Sequence, residues 1–306
     1  MGWRLYLSNQ AVQRLDILPG QPPLLAAWMR RGRVYYFDLK TGAQVGERSI
    51  DETPAAARAD DAWQAFAAGL TAPNKVFLPH VRTALGDVYS SSDGRLRLVH
   101  VPPADLFLEL EGREIPLDTG AAARLSAVDL DRLLGLVAAL DETGLLRLYQ
   151  QHIPLGAFDL GLRPADGLPV SVAVALGGGA VFASDGRQIV LTDSSGAVRK
   201  RLDAHYTVGR IACAPDGRLL ATTDLDTNVI RVYNGADLTL SHQRHAVDVL
   251  AAARQVQLIA DEPPALGALN ALALGSKGAL AFALAGMVCA SATSALNALP
   301  QTRRLL

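Results

Sequence analysis

The segment from residue 205 to residue 234 constrains the fold of this chain more than any other part of the sequence. Its sequence, HYTVGRIACAPDGRLLATTDLDTNVIRVYN, predicts three short strands at 209–215, 218–224 and 229–234. A Pro-Asp-Gly turn at 215–217 and an Asp-Thr-Asn turn at 226–228 separate these strands. Short strands bounded by Gly, Asp and Asn turns indicate an antiparallel meander.

The same unit recurs along the chain. The turn between the second and third strands of each unit needs a residue that tolerates positive φ, which favours Gly or Asn. Residues of this kind stand at spacings of 62, 50, 42 and 42, and they are Gly32, Gly94, Gly144, Gly186 and Asn228. A sixth unit is predicted at 269–291, with strands at 269–274 and 279–285 and a turn at Gly286.

A meander that repeats every 40 to 45 residues or so is typical of the blades of a β-propeller. The sequence therefore predicts an all-β fold, a closed β-propeller of four-stranded antiparallel blades that forms a single domain over residues 1–306. Six units are recognised, and seven of about 43 residues each would also fill the length. The first eight residues predict a strand, which we expect to close the ring by pairing into the last blade.

Two segments do not fit the meander. Residues 52–70 carry apolar side chains at steps of three and four residues, which predicts an amphipathic helix inserted after the first unit. Its aromatic residues Trp63 and Phe66 are candidate anchors for a partner, although packing against the ring is the alternative role. Residues 241–264 are expected to form an irregular insertion, either an extra hairpin or half of a degenerate seventh blade.

The units resemble those of the WD-repeat β-propellers in a degenerate form. In the fifth unit, His205 stands near the family's Gly-His pair, 215–217 matches its first turn, and Tyr233-Asn234 occupies its Trp-Asp position. The first unit ends in a similar way at 37–42, with Phe37 in place of Trp. Because Asp226 lies one residue too far from Tyr233, the family's buried His–Ser/Thr–Asp–Trp network is not expected here. The resemblance implies a fold far more than a role.

Composition limits the classes of partner. Half of the residues are apolar and 19% are charged, which is enough to build a core, and the net charge is −1. Binding to nucleic acid through its phosphates would need a positive field, so we expect no nucleic-acid partner.

The uncharged run 279–299 is long enough to cross a bilayer, but it is Ala-rich and matches two predicted strands, so we interpret it as blade strands. Residues 1–8 lack the pattern of a secretory signal, and the expected location is cytoplasmic.

The sequence shows little that points to catalysis. It contains no phosphate-binding loop with Lys and Ser/Thr, no Gly-x-Ser-x-Gly elbow and no His-Glu-x-x-His. Cys213 and Cys289 fall in predicted strands and are expected to be small buried residues, and no cofactor or metal site is predicted.

We therefore expect a non-catalytic scaffold for protein partners, or a rigid subunit of an assembly. The alternative is a metal-dependent hydrolase or lactonase that acts at the central channel, where acidic residues at one end of each blade could line the rim. For these acidic residues a turn role is favoured over catalysis, since Asp next to Gly or Asn is common in turns. The candidate partner-binding residues are exposed loop residues at that end, namely Arg30, Arg31, Asp93, Asp141, Glu142, Asp185, Asp224 and Asp226.

Overall fold

The fold is seen in a computed structural model of the chain. It describes residues 2–7, 12–18, 21–29, 33–49, 81–82, 87–90, 96–101, 105–110, 113–120, 124–131, 135–175, 177–257, 269–284, 286–294 and 296. The expected helix at 52–70, with Trp63 and Phe66, lies outside these residues, as do Arg30, Arg31, Gly32, Asp93 and Gly94.

The described residues form six sheets that follow one another along the chain. Sheet I contains β2 (Val12–Leu18), β3 (Leu24–Met29), β4 (Arg33–Asp38) and β5 (Gln44–Ser49). Sheet II contains β6 (Val81–Arg82), β7 (Asp87–Ser90), β8 (Leu96–Val101), β9 (Asp105–Leu110) and β10 (Arg113–Pro116). Sheet III contains β11 (Leu125–Leu130), β12 (Leu136–Asp141), β13 (Leu145–Gln150) and β14 (Ile153–Asp159).

Sheet IV contains β15 (Ser171–Val174), β16 (Val181–Ser184), β17 (Gln188–Thr192) and β18 (Val198–Asp203). Sheet V contains β19 (Val208–Cys213), β20 (Leu219–Asp224), β21 (Val229–Asn234) and β22 (Leu240–His245). Sheet VI contains β24 (Leu269–Leu274), β25 (Ala279–Leu284), β26 (Met287–Ala292), β1 (Trp3–Tyr6) and β23 (Arg254–Gln257). The remaining elements are helix α1 (Ala246–Ala252) and a 3₁₀ turn (Ser276–Gly278).

Four of these sheets are four-stranded antiparallel meanders, as the repeat predicts. Sheets II and VI have five strands and depart from the expected number. The predicted turn residues are confirmed where the structure describes them, because Gly144, Gly186 and Asn228 have φ values of 86°, 90° and 56° and follow the second strand of their sheets. Gly286 likewise lies between β25 and β26.

The second strand of a sheet is buried on both faces. In β3, β12 and β16 every residue is buried, and in β25 only the first residue is partly exposed. This explains the apolar run that begins at Ala279, because a strand between two neighbouring sheets has no solvent face. The run forms β25 and β26 as far as Ala292. Among the described residues, no helix is long and apolar enough to span a membrane.

Neighbouring sheets share hydrophobic clusters, which place them side by side. Five clusters each join two sheets, as shown by the pairs Leu108 and Val137 (II and III), Leu148 and Val174 (III and IV), Leu191 and Leu220 (IV and V), Ile230 and Phe282 (V and VI), and Ala283 and Leu15 (VI and I). Sheets I and II are connected by residues 50–80, outside the described part of the chain. Closure of the ring and the number of blades therefore stay predictions.

The N-terminal strand pairs where the sequence predicts. Strand β1 is antiparallel to β26, with Trp3 opposite Ala290 and Tyr6 opposite Met287. The Trp3 indole N–H donates to the Leu39 carbonyl (2.8 Å), and its ring lies 6.0 Å from that of Phe37. The first residues of the chain thus join sheet VI to sheet I.

The segment expected to be an irregular insertion is regular up to residue 257. Residues 241–245 belong to β22, the outer strand of sheet V, and α1 and β23 follow. Strand β23 pairs in parallel with β1, with Trp3 opposite Arg254. The expectation of an extra hairpin missed this pairing, because the short alternating run 254–257 finds its partner at the other end of the chain. Residues 258–264 are not described.

Candidate functional site: the turn face

The turns after the second strands and the loops between sheets form one surface. We call it the turn face, and it comprises the turns 141–145, 184–188 and 224–229, the loops 160–170 and 204–207, and residues 117–120 and 124 of the loop before sheet III. Hydrogen bonds tie each turn to a loop: the Glu142 N–H donates to the Arg124 carbonyl (2.9 Å) and the Leu225 N–H to the Thr207 carbonyl (2.9 Å). The predicted acidic residues that the structure describes therefore lie at equivalent ends of successive sheets, and they are Asp141, Glu142, Asp185, Asp224 and Asp226.

Three predicted acidic residues organise the turn that follows the second strand: Asp141 and Asp224 are the last residues of their strands, and Asp185 comes directly after β16. Asp141 Oδ1 accepts hydrogen bonds from the main-chain N–H groups of Thr143 (2.9 Å) and Leu145 (3.0 Å). Asp224 Oδ1 accepts from the N–H groups of residues 226 (3.0 Å) and 227 (3.1 Å). Asp185 Oδ1 does the same for residues 187 (2.9 Å) and 188 (2.8 Å). This is the turn role that the sequence favours for Asp at these positions.

The second oxygen of each carboxylate also has a partner. Asp141 Oδ2 accepts from the Arg147 guanidinium at 2.5 Å, and Asp224 Oδ2 accepts from Arg231 at 2.9 Å. In sheet IV, Asp185 Oδ2 accepts from the main-chain N–H of Arg163 (2.9 Å), in the loop that precedes the sheet.

The two ion pairs change the acidity of their carboxyl groups. Burial acts to raise the pKa of Asp141, but the hydrogen bonds from Arg147, Thr143 and Leu145 outweigh it and hold the pKa below its ordinary value. The pKa of Asp224 is lowered in the same way, since the donors Thr227 and Arg231 outweigh burial. Both groups are therefore charged at neutral pH.

The expectation that the acidic turn residues are exposed is wrong for three of them. Asp141, Asp185 and Asp224 are 2%, 5% and 2% exposed, because their carboxylates turn inward to accept the bonds of the turn. Glu142 and Asp226 are exposed as expected. The Glu142 carboxylate lies 3.9 Å from the Arg124 guanidinium, and both side chains are more than half exposed.

A buried aromatic network in sheet V is a feature that the sequence did not predict. The Tyr206 hydroxyl hydrogen-bonds the Thr222 hydroxyl (2.8 Å) and the Tyr233 hydroxyl (2.9 Å). The Arg231 guanidinium lies over the Tyr206 ring at 3.8 Å from its centre. Burial raises the pKa of Tyr206 and of Tyr233, so both phenols stay protonated.

The resemblance placed His205 near this position, but His205 is exposed and its neighbour Tyr206 takes the inward place. The sequence alternates polar and apolar residues along 203–206 (Asp-Ala-His-Tyr), and this alternation is the signal that could have identified Tyr206 as the inward residue. The network thus joins the loop before sheet V to its second and third strands through tyrosine hydroxyls.

Two exposed aliphatic residues lie on the turn face or next to it. Leu225, in the turn after β20, is 37% exposed, and Val247, in the first turn of α1, is 42% exposed. The two are brought to the same region because the Ala246 N–H donates to the carbonyl of Asn228, in the turn that contains Leu225 (2.9 Å). Exposed aliphatic side chains flanked by polar ones can act as anchors for a partner.

The two cysteines lie in strands, as expected. Cys289 is buried and Cys213 is partly buried. Burial raises the pKa of the Cys289 thiol to about 12, and it also raises that of Cys213 well above its ordinary value. Both are therefore thiols at neutral pH, and the nucleophilic form is the thiolate. The described residues contain no group of three or more His, Cys, Asp or Glu placed to hold a metal ion.

Comparisons with known proteins identify the fold. The sequence matches no protein-family model and no curated protein. Raptor from Chaetomium thermophilum is structurally similar, with a TM-score of 0.63 and 10% identity, over 95% of this chain and 29% of that protein. The Cps50 (Swd1) β-propeller domain of Myceliophteria thermophila is similar too, with a TM-score of 0.63 and 8% identity, over 93% of this chain and 97% of the domain.

The chain spans less than a third of the length of Raptor but nearly all of the Swd1 propeller domain. At such low identity the likeness shows the fold alone. The fold is that of a WD-repeat-like β-propeller, which agrees with the resemblance seen in the fifth unit.

Proposed function

We propose that this chain is a non-catalytic protein-interaction module, a scaffold or rigid subunit of a cytoplasmic assembly, and that the turn face binds its partner. The observation that carries the proposal is that some acidic residues of this face hold the turns while others are exposed on them. Asp141, Asp185 and Asp224 have both carboxylate oxygens engaged in holding the turns. Glu142 and Asp226 project from the turns that those residues fix.

Such an arrangement suits recognition better than acid–base chemistry. A general acid or base needs a pKa near the working pH, whereas the pKa values of Asp141 and Asp224 are lowered. Rigid turns lose little conformational entropy when a partner binds, which favours affinity. The exposed carboxylates together with Leu225 and Val247 fit a partner surface that carries basic and aliphatic side chains.

The proposal is tested by purifying the tagged protein from its own cells and quantifying the proteins that co-elute by mass spectrometry. The turn-face variants are the pair E142R/D226R and the pair L225S/V247S. The matched control is D216R, since Asp216 is also an exposed turn carboxylate in sheet V but lies at the opposite end of the second strand. Circular dichroism of each purified variant confirms that it is folded.

We expect a stoichiometric partner with the unchanged protein and with D216R, and at least about a tenfold loss of that partner with either turn-face pair. Equal recovery of the partner by all variants would place binding elsewhere. A folded protein that elutes alone from native extracts would contradict the scaffold function itself.

The same proposal includes a closed ring of six blades, with sheets I and II as the last pair of neighbours. A closed ring gives a compact scattering profile, whereas an open arc of six sheets has a larger maximum dimension. Small-angle X-ray scattering of the purified monomer distinguishes the two shapes.

A further inference from the structure

Strand β18 is the outer strand of sheet IV, and it differs from the other outer strands in its charge. Its sequence is Val-Arg-Lys-Arg-Leu-Asp, with three cations and one anion, and every residue except Leu202 is exposed. Strand β14 has one anion and no Lys or Arg, β5 has one of each sign, and β22 has Arg244 beside two histidines. The most basic edge among the described outer strands is therefore that of sheet IV.

This edge presents main-chain groups as well as charge. The Ala204 N–H donates to the Arg187 carbonyl (2.8 Å), and the register continues with Leu202 opposite Ile189 and Lys200 opposite Leu191. In an antiparallel pair, alternate residues direct their N–H and C=O groups toward the partner strand. Residues 200 and 202 thus bond β17, and Arg201 directs its main-chain groups away from the sheet.

The basic side chains are spread over both faces of this strand. Arg199 pairs with Asp193 (3.1 Å), and Arg201 donates to the Leu160 carbonyl on the side of sheet III. Lys200 projects to the other face, where its charge acts on Asp237 of sheet V. Val198, at the start of the strand, is 43% exposed and adds an apolar contact. A segment lying along the edge would therefore meet positive charge on either face.

We propose that the outer edge of β18 binds an extended acidic segment of a partner protein, which adds to sheet IV as a fifth strand. Main-chain hydrogen bonds from Arg201 supply the register, and acidic side chains complement Arg199, Lys200 and Arg201. A second copy of this strand is a poor occupant, because it would bring like charges together across the pair. The proposal rests on the charge and the main-chain groups of β18, and none of its residues is varied in the test of the turn face, so it stands without the proposed function.

The probe is a fluorescein-labelled peptide whose central part alternates Glu and Val over eight residues. Its binding to the full chain is measured by fluorescence polarisation at low salt. Three matched probes accompany it: the same peptide with Lys in place of Glu, the Glu-Val peptide with alternate main-chain nitrogens methylated, and a single-stranded oligonucleotide. The methylated peptide keeps every side chain but loses donors along one edge.

The protein variants separate charge from main-chain bonding. R201A removes the side chain and keeps the N–H, R201P removes the N–H as well, and K200E reverses one exposed charge. The control is Q243P, since Gln243 holds the equivalent outward position in β22. The Ala246 N–H donates to the Asn228 carbonyl, and Gln243 lies three residues before Ala246 and opposite Arg231, just as Arg201 lies three residues before Ala204. Because the outward N–H is not used by the sheet, R201P should fold, and circular dichroism checks this.

We expect the Glu-Val peptide to bind, the Lys-Val peptide to bind at least tenfold more weakly, and N-methylation and R201P each to weaken binding about tenfold. K200E should weaken it about fivefold and Q243P should leave it unchanged. Equal binding of the methylated peptide would overturn strand addition, even if R201P did not fold. Tighter binding of the oligonucleotide would overturn the choice of partner. None of these results depends on the turn-face variants, so the two proposals can fail separately.

Discussion

Sheets III and V satisfy the aspartate at the end of their second strand in one way, and sheet IV does so in another. In sheets III and V the third residue of the third strand is an arginine, Arg147 or Arg231, which pairs with Asp141 or Asp224. The equivalent residue of sheet IV is Val190, and Asp185 takes a main-chain N–H from the preceding loop instead. The turn bonds to Oδ1 are common to all three.

The comparison shows which part of this aspartate-centred turn is common to the three sheets. The aspartate is needed to close the turn, whereas the donor for its second oxygen is whatever the neighbouring residues provide. The fifth residue of the third strand varies in parallel, since it is Tyr149 in sheet III, Tyr233 in sheet V and Thr192 in sheet IV. Arginine and tyrosine thus occur together, and sheet IV has replaced both with smaller side chains.

Removing the aspartate should destabilise the fold more in sheet V than in sheet IV. D224A deletes two turn bonds and leaves Arg231, whose side chain is 18% exposed, without its carboxylate. We expect D224A to lower the free energy of unfolding by about 3 to 4 kcal/mol. D185A should lower it by about 2 kcal/mol, because it leaves no buried cation without its partner. Urea unfolding followed by tryptophan fluorescence measures both. Equal losses would contradict the distinction between the two kinds of sheet.

The turn glycines offer a second comparison between sheets III and IV. A Cβ added to Gly144 would lie 2.4 Å from the Leu162 carbonyl oxygen, whereas one added to Gly186 would meet its nearest atom, the Leu168 Cβ, at 3.0 Å. Both residues have positive φ. We expect G144A to destabilise the fold by about 2 to 3 kcal/mol and G186A by about 1 to 2 kcal/mol, since the backbone contact is far closer at Gly144 than the 3.1 Å to the Pro169 carbonyl oxygen at Gly186.

Gly167 provides the control for strain alone. It has a φ of 80°, and nothing lies within 4 Å of its added Cβ. G167A should therefore lose only about 1 kcal/mol, the penalty for an alanine at positive φ. If G144A and G167A had the same unfolding midpoint, the turn face would be less tightly packed than the structure indicates.

The fold was predictable because the repeat is carried by residues with a local physical role. The glycines and Asn228 are needed for positive φ, and the apolar run from Ala279 follows from burial on both faces. Strand β23 was not predictable, because it is a short run outside the repeat and its pairing with β1 is parallel, unlike the meander. A local pattern carries no information about such a partner.

The site was predictable only in part. The positions of Asp141, Asp185 and Asp224 at the ends of strands follow from the spacing, but their burial does not. The orientation of a short side chain in a turn depends on which donors are near, and the donor Arg163 comes from another segment. Tyr206 was missed for the same reason, since its partners Thr222 and Tyr233 lie on two other strands.

The ion pair of sheet III should make stability depend on pH in the acid range. The pKa of Asp141 is lowered in the folded protein, so the stability that its charge supplies is present above the unfolded value, about 3.9, and is lost as the pH falls through the folded value. D141N should be about 1.5 kcal/mol less stable than the unchanged protein at pH 7, and the difference should shrink below about pH 4. Urea midpoints from pH 3 to 7 measure it, and a difference independent of pH would refute the ion-pair account.

The aromatic network of sheet V should contribute less than the ion pairs and should depend on them. Y206F keeps the ring under Arg231 but removes the hydroxyl shared by Thr222 and Tyr233, so we expect a loss of about 1 kcal/mol. Since Arg231 contacts both Tyr206 and Asp224, Y206F and D224N should be non-additive by about 0.5 kcal/mol or more. The matched cycle in sheet III uses Y149F and D141N, and Tyr149 donates instead to the Asp118 carbonyl (2.6 Å). If the two substitutions are additive in sheet III but coupled in sheet V, Arg231 links the turn to the aromatic network of sheet V. Sheet IV has no such link, because Val190 stands at the position of the arginine.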